Sequence, residues 1–460
     1  MLSSEFFSHS EDCIAAIATP PGEGGIAIVR LSGKGALQIA NRMFSGPVLS
    51  YQSHTVHFGK FLGAGDMPID EGLLIPMKAP NSFTGEDVVE FHCHGGSLIS
   101  EKILSRALSL GARMAKPGEF TFRAFKNSKL DLTQAEAVQE AIAAKSTLAL
   151  NAAQMHLEGR LSKKIRYFQQ ELTDAAATIE AWVDYPEEDL ELETMQALLQ
   201  KINAVQNALA DLSRTFEDGQ FLSTGYRLCL IGAPNVGKSS LMNILLGKDR
   251  AIVTDIAGTT RDLLEEDIRI GDLHFRLVDT AGIRETEEVI EREGIRRSKE
   301  AAEKADAVLL ILDAAKGISV EEKNLIAALP PEKTLAVWNK VDISPPNSRS
   351  FHLPLVHQAE ISALHQTGIE ALKRQITALV QKNPSLSKEE VLITKRRHFE
   401  ALSHAMEALE RAKESLNTAA SPEFIAIDLR EALNYLSTII GTNVSEDILS
   451  AIFSKFCVGK

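Results

Sequence analysis

Two textures of hydrophobic patterning divide this chain. Up to about Phe125, short β-like runs alternate with turn clusters. Thr19-Pro20-Pro21-Gly22-Glu23-Gly24-Gly25 is such a cluster, and Ile26-Ala27-Ile28-Val29-Arg30-Leu31 after it reads as a strand. Residues 54–61, 70–77 and 88–93 read as further strands, and a helix is expected after Gly95-Gly96. The mixture predicts a small α+β domain. The texture changes near Asn127, where alanine dominates and no proline occurs between Pro117 and Pro186. Leu157, Leu161, Ile165, Phe168, Leu172, Ala176, Ile179 and Val183 recur at spacings of three and four, the stripe of one long amphipathic helix. Such a stripe buries itself within an intramolecular bundle or in an intermolecular coiled coil. A second helix is expected over 193–220, after Asp184-Tyr185-Pro186.

From Tyr226 to about Leu379 the period switches back and forth. Strand-like runs at 227–231, 263–270, 274–279, 306–312 and 334–338 alternate with helical segments, the pattern of a mostly parallel, doubly wound sheet. Gly271-Asp272 between two of those runs signals a hairpin. Helices resume after Asn383-Pro384, over 388–419, 424–440 and 446–456. Helical material on both sides predicts one bundle with the alternating domain inserted into it. The expected organisation is a multidomain α/β protein: an N-terminal α+β domain (1–126), a helical domain in two parts (127–222 and 383–460), and the inserted domain (223–382).

Composition narrows the class. A length of 460 residues suggests roughly two to four domains. The longest aliphatic run, Val308 to Leu312 between Asp306 and Asp313, suits a buried strand and is too short for a bilayer, so no membrane association is expected. Met1-Leu2-Ser3-Ser4-Glu5 has neither the basic nor the apolar region of a secretory signal. Cys13, Cys93, Cys229 and Cys457 form no close pair, which fits a reducing cytoplasm. A net charge of −13 argues against a generally nucleic-acid-binding surface but leaves room for a local basic patch.

The chemistry concentrates in the alternating domain. Gly232-Ala233-Pro234-Asn235-Val236-Gly237-Lys238-Ser239 lies between a strand and a helix, the context of a phosphate-binding loop. Its glycines let backbone N–H groups wrap phosphates at a helix N-terminus, with Ser240 in the next position. Lys238 would reach the β- and γ-phosphates, and Ser239 would hold Mg²⁺. Asn339-Lys340-Val341-Asp342 follows a hydrophobic strand and selects guanine, because the Asp342 carboxylate can accept from two guanine donors that adenine lacks. Asn339 and Lys340 are expected to brace the base and its ring face. Ser362-Ala363-Leu364 completes the pocket, with the Ala363 N–H toward the guanine oxygen. Asp279-Thr280-Ala281-Gly282 would bind Mg²⁺ through water and sense the γ-phosphate. Thr254, Asp255, Ile256, Ala257, Gly258, Thr259 and Thr260 form the loop between, in which Thr260 offers a second Mg²⁺ hydroxyl. Loops of this kind order around the γ-phosphate and relax after hydrolysis. The inserted domain is therefore expected to be a Ras-like P-loop GTPase domain.

Two absences matter. Ile283 stands where Ras-like proteins carry a water-orienting glutamine, so another residue must position the water. Arg261 and Arg284 are candidate arginine fingers and equally candidate surface ion pairs. The Asn235 amide, with carbonyls of the 254–259 loop, could instead hold a monovalent cation beside the phosphates. That charge would stand in for an arginine finger, worth roughly 10³–10⁵ in rate.

Thr-Pro-Pro-Gly-x-Gly-Gly (19–25), Asn-Ser-Phe-Thr-Gly-Glu-Asp (81–87), His-Gly-Gly (94–96), Pro-Gly-Glu-Phe (117–120), Lys-Leu-Asp-Leu (129–132), the guanine-nucleotide set and Phe-Cys-Val-Gly-Lys (456–460) occur in that order. Together they resemble the tRNA modification GTPases called MnmE or TrmE over essentially the whole chain. The resemblance implies a homodimer through the N-terminal domains, with nucleotide domains that meet when GTP and K⁺ bind. It implies K⁺ ligands Asn235, Thr254, Ile256 and Thr259, Mg²⁺ ligands Ser239 and Thr260, and a catalytic glutamate, Glu291, before Arg292-Glu293-Gly294-Ile295. Glu285, Glu287 and Glu288 crowd that glutamate and leave its identity open from sequence. It further implies a tetrahydrofolate one-carbon donor (5-formyl or methylene) at Arg30, Glu90 and Lys129, with Lys460 of the tail approaching it.

The implied activity is addition of an aminomethyl-type group to C5 of the wobble uridine of certain tRNAs, together with an FAD-dependent flavoprotein partner. A regulatory GTPase that binds RNA or ribosome without modification chemistry is the competing reading. His92 and His94 share a strand face but lack a third metal ligand. Cys457-Val458-Gly459-Lys460 is a poor prenylation box. Cys457 itself reads either as a reactive thiol or as a buried structural one.

Overall fold

The computed structural model describes residues 12–184, 192–249, 266–278, 300–343, 353, 355, 357–380, 391–418 and 420–460. The chain divides into two compact units. One gathers the described parts of Met1–Gln139, Met155–Leu209 and Glu400–Lys460; the other gathers those of Glu140–Gln154 and Ala210–Phe399.

The first unit begins with β1 (Ile14–Ile17), β2 (Gly24–Ser32), α1 (Ala36–Asn41), β3 (His57–Leu62), β4 (Pro68–Met77), β5 (Val88–Gly95), α2 (Ser97–Ser109) and β6 (Arg113–Met114). These strands form a six-stranded sheet in the order β3-β4-β5-β2-β1-β6. Pairing is antiparallel except between β1 and β6. Alternation along β2 and β5 sends Ala27, Val29, Leu31, Val89, Phe91 and Cys93 into a core shared with Ile103 and Ala107 of α2. The opposite positions, Arg30, Glu90 and His92, are left on the other face, where Arg30 stands directly across from Glu90. Sequence pattern missed β1, whose Ala15 and Ala16 give little strand signal, and β6, which is two residues long.

Helices follow: α3 (Glu119–Lys126), α4 (Leu132–Ala143), α5 (Thr147–Leu157), α6 (Arg160–Asp184), α7 (Leu192–Arg214) and α8 (Phe216–Thr224). The amphipathic stripe expected as one helix is broken. Leu157 ends α5, and Gly159 at φ +73° turns the chain before α6 starts, a conformation glycine takes without a Cβ penalty. The helix expected over 193–220 is also two, because the Thr215 hydroxyl bonds the Leu212 carbonyl (2.6 Å) and accepts the Ile393 N–H (2.9 Å). The same bond holds residues 391–395 out of helix, so the next helix starts later than expected.

The second unit contains β7 (Tyr226–Ile231), α9 (Lys238–Asp249), β8 (Glu266–Ile270), β9 (Leu273–Val278), β10 (Ala307–Asp313), α10 (Val320–Ala328), β11 (Thr334–Asn339), β12 (His357–Glu360) and α11 (Ile369–Val380). Its sheet runs β12-β11-β10-β7-β9-β8 and is parallel except for the β8–β9 hairpin. β10 is buried at every position, and the sheet carries an apolar core on each face. The carboxyl ends of β7, β10 and β11 therefore converge, which is where open α/β sheets bind ligands.

The chain returns to the first unit through α12 (Arg396–Asn417), then α13 (Pro422–Ile440) and α14 (Glu446–Phe453). Leu161, Ile165, Phe168, Leu172 and Ile179 of α6 are buried, as are Ile425, Leu429, Leu436 and Ile439 of α13. Gln169 donates to the Ser437 hydroxyl (2.9 Å) and Arg430 pairs with Glu180 (2.7 Å) between these two helices. The stripe thus packs within the chain.

Candidate functional site

β7 delivers Gly232 to the sheet's carboxyl edge, and α9 begins at Lys238. Asn235 and Gly237 between them take φ +64° and +101°. At Gly237 a Cβ would lie 2.1 Å from Asn339 Nδ2, so only glycine admits that neighbour. The Lys238 ammonium donates to the Gly232 and Ala233 carbonyls, both at 2.8 Å, and burial pulls its pKa down. Val236 is buried beneath the loop, whereas Ser239 and Ser240 lie exposed in the first turn of α9.

The Asn-Lys-x-Asp segment ties loops together. Asn339 is only 2% exposed. Its Nδ2 donates to the Val236 carbonyl (2.8 Å), and its Oδ1 accepts the Ala363 N–H (2.9 Å). It therefore stitches the phosphate loop to the Ser362-Ala363-Leu364 loop, and the Ala363 N–H expected at the guanine oxygen is already bonded. Lys340, at φ +64°, donates to the Asn235 carbonyl (2.7 Å) and pairs with Asp313 (2.8 Å). Val341 N–H bonds the Ile361 carbonyl (3.3 Å). Asp342 stays accessible. A Ser362 hydrogen bond, helped by the His365 and Lys340 charges, holds its carboxyl below the usual range. Leu364 is exposed beside it.

Asp313 was not read as a site residue. Burial pushes its carboxyl up, but hydrogen bonds from Lys340 and the Ala315 N–H bring it below the usual carboxylate range. Thr254, Asp255, Ile256, Ala257, Gly258, Thr259, Thr260, Asp279, Thr280, Ala281, Gly282 and Glu291, with Arg261 and Arg284, lie outside the described residues.

A second polar site occupies the exposed side of the N-terminal sheet. Arg30 Nε donates to Glu90 (2.8 Å), and His92 meets the other Glu90 oxygen (3.0 Å). Arg30 also donates to the Gly459 carbonyl (3.1 Å) and lies over the Phe120 ring at 5.7 Å. Burial raises the Glu90 carboxyl, but Arg30 and His92 hold it below its ordinary value. Burial and the Arg30 charge pull the Lys460 ammonium down, with Glu90 opposing. Arg30, Glu90 and Lys460 are thus brought together. Lys129 donates instead to the Pro80 carbonyl (3.1 Å). His92 partners Glu90 and His94 partners Asp70, so the two histidines do not act as a pair.

The tail is held by aromatics. Phe453 packs on Phe122, Phe125 and Phe456, and the Cys457 carbonyl accepts the Gly118 N–H (3.3 Å). Cys457 is exposed, which removes the buried-thiol reading. Sequence reasoning also missed the charges that fix this turn. Arg113 pairs with Asp12 and Glu119, and buried Arg123 pairs with Asp12, Glu119 and Glu86. They anchor the start of α3, and thereby Phe120 under Arg30. Among the described residues no helix is long and apolar enough to cross a membrane.

Family models match two stretches of the chain: the MnmE helical domain over residues 132–457 and the GTP-binding protein TrmE N-terminus over 13–129. Full-length relatives carry the description tRNA modification GTPase MnmE. One from Protochlamydia amoebophila is 52% identical, covering 98% of this chain and 98% of its own. One from Syntrophotalea carbinolica is 44% identical, covering 98% and 100%. One from Clostridioides difficile is 42% identical, covering 98% and 99%.

Proposed function

Because this chain belongs to the MnmE family of tRNA modification GTPases, we propose that it hydrolyses GTP in the modification of the wobble uridine of tRNA. The observation that carries the nucleotide reading is the double stitch at the sheet edge. Asn339 and Lys340 hold the phosphate loop and the base loop in register while Asp342 stays accessible. A preformed register of this kind lowers the ordering required when a ligand binds.

In this reading Lys238 turns from the Gly232 and Ala233 carbonyls to the β- and γ-phosphates, and Asp342 accepts from guanine. The exposed Ser239 hydroxyl at the start of α9 suits a Mg²⁺ ligand, with Thr260 as the second. Asn235, Thr254, Ile256 and Thr259 hold K⁺, and Glu291 orients water. The two cations supply positive charge where the phosphates accumulate negative charge.

At the N-terminal site, Glu90 offers a carboxylate to the amino edge of a pterin, while Arg30 and Lys460 offer cations to a carboxylate or formyl group. That donor set suits a tetrahydrofolate one-carbon unit, with Lys129 at its margin. We extend the proposal to a homodimer, to an FAD-dependent flavoprotein partner, and to the domain limits 1–126, 127–222, 223–382 and 383–460.

The test is mass spectrometry of wobble nucleosides in tRNA from cells depleted of this protein. Loss of C5-aminomethyl-type uridines, restored by the wild-type gene and not by Lys238→Ala, is the expected result. An unchanged profile in cells without a redundant enzyme sinks the modification role and leaves a regulatory GTPase.

A further inference from the structure

We propose that a cleft in the first unit, lined by Lys102 and Arg106 of α2, holds a phosphate of the tRNA backbone, a step that rests on the tRNA reading above. The cleft has a volume of about 460 Å³ and lies between α2 and the turn that joins β3 to β4. That size is ordinary for a ligand site. Gly63 and Ile69 line it from the sheet side, and Lys102, Ser105, Arg106 and Ser109 line it from the helix. The turn is held in place, since the Gly63 N–H donates to the Met67 carbonyl (2.7 Å).

Local folding does not account for the two cations. Lys102 and Arg106 are four residues apart on one helix, where like charges are neighbours and repel. Among the described residues neither meets a carboxylate. Arg30, Arg113, Arg123, Arg411 and Arg430 by contrast each hold one. The Arg106 Nε–H is buried without a hydrogen-bond partner, so this donor has lost water and gained nothing in exchange. Its place in the last turn of α2 suits the helix dipole, but that gives the N–H no acceptor.

A phosphate answers this arrangement. Its oxygens accept parallel N–H bonds from a guanidinium, and the Lys102 ammonium adds a second positive charge. The Ser105 hydroxyl on the same wall is of the kind that donates to phosphate and sugar oxygens. Such contacts position an RNA without reading its sequence. With a net charge of −13 the chain repels RNA at large and must meet it at local cationic patches. A cleft with two uncompensated cations is such a patch. Glu101, which also lines the cleft, opposes an anion there, so its neutralisation should tighten binding.

The experiment uses the full chain and a fluorescently labelled, unmodified tRNA transcript with a uridine at the wobble position. Anisotropy across a KCl series compares wild type, the Lys102→Gln/Arg106→Gln double variant and Glu101→Gln. Calorimetry with inorganic phosphate runs beside it. The double variant should bind tRNA about tenfold more weakly, the scale of a charge-assisted hydrogen bond. Its slope of log affinity against log salt should be shallower by about 1, the share of one phosphate. The loss should be alike for tRNAs of different sequence. Glu101→Gln should bind more tightly than wild type.

Equal affinity and equal slope in the double variant overturn the proposal and leave tRNA binding intact. A double variant that loses inorganic phosphate but keeps tRNA makes the cleft a small-anion site, which overturns it as well. Should the double variant fail to fold, Glu101→Gln decides: affinity at or below that of wild type refutes the cleft. A wild type that binds no tRNA takes RNA contact away from this chain, and the proposal falls with that reading.

Discussion

Asn339→Ala separates bracing a base from bracing the loops around it. The substitution removes a donor to the Val236 carbonyl at 2.8 Å and an acceptor for the Ala363 N–H at 2.9 Å, both at a position 2% exposed. Each partner left unsatisfied in a buried setting costs about 1–3 kcal/mol, which gives about 2–6 kcal/mol in all. The lower half of that range is the expectation, because both loops lie at the sheet edge, where water can re-solvate them. For a unit of this size 1 kcal/mol shifts a midpoint by about 2–4 °C, so a fall of about 4–16 °C is expected. Thermal unfolding in the absence of nucleotide reads this directly. Titration with GTP and ITP analogues reads the second consequence. Both affinities should fall by the same factor, since the stitch touches no base, whereas Asp342→Asn should change the ratio between them. An Asn339→Ala protein that melts with wild type would refute the stitch.

Two further outcomes follow from the first unit and from the cysteines. At neutral pH the native chain should take up one maleimide, at exposed Cys457. Cys13 and Cys93 are buried with thiols pushed up to about 12 and about 11, and Cys229, on β7, is buried in the core on one face of its sheet. Intact mass spectrometry showing two or more adducts before denaturation would contradict that burial. The carboxyls of Asp12, Glu90 and Glu119 are each raised by burial but brought below their ordinary values by arginine partners, with His92 adding to Glu90. Groups depressed in the folded state contribute fully above the ordinary carboxylate range near pH 4 and lose that contribution as pH falls through the folded values. The melting temperature should therefore stay level as far as these three are concerned from pH 7 to about 5, then drop. Arg123→Met should flatten the acid limb, and an acid limb identical to that of wild type would show that the network does not govern it.

What the sequence made legible is what lies close together in it. The phosphate loop and Asn339-Lys340-Val341-Asp342 are contiguous words with a strand in front of each, so their existence and order were readable. Their wiring was not. The Asp313–Lys340 pair joins the last residue of β10 to the residue just past β11, and only the β10–β11 register, which sets Asp313 opposite Asn339, brings them together. The motif marks the Asn339 side chain for the base, and nothing in it announces the bonds to the Val236 and Ala363 backbones. Helix limits failed where a tertiary bond outweighed the periodic pattern, as at Thr215, which holds Ile393. The ion network of Asp12, Glu86, Arg113, Glu119 and Arg123 gathers charges that no local pattern marks as partners.

The first unit is assembled from stretches that the ribosome delivers far apart. The apolar stripe of α6 is complete once Asp184 emerges, but α13, which covers it, begins at Pro422. Meanwhile the whole β7–α11 segment, with its own sheet and core, has been made. Pairings this distant in sequence form late, because the loop must close before they contribute. During synthesis Leu161, Ile165, Phe168, Leu172 and Ile179 therefore stand uncovered while the nucleotide sheet folds ahead of them. A chain halted before residue 400 would carry a folded nucleotide-binding sheet and a bare helix face, the kind of surface that chaperones bind and that aggregates when they do not.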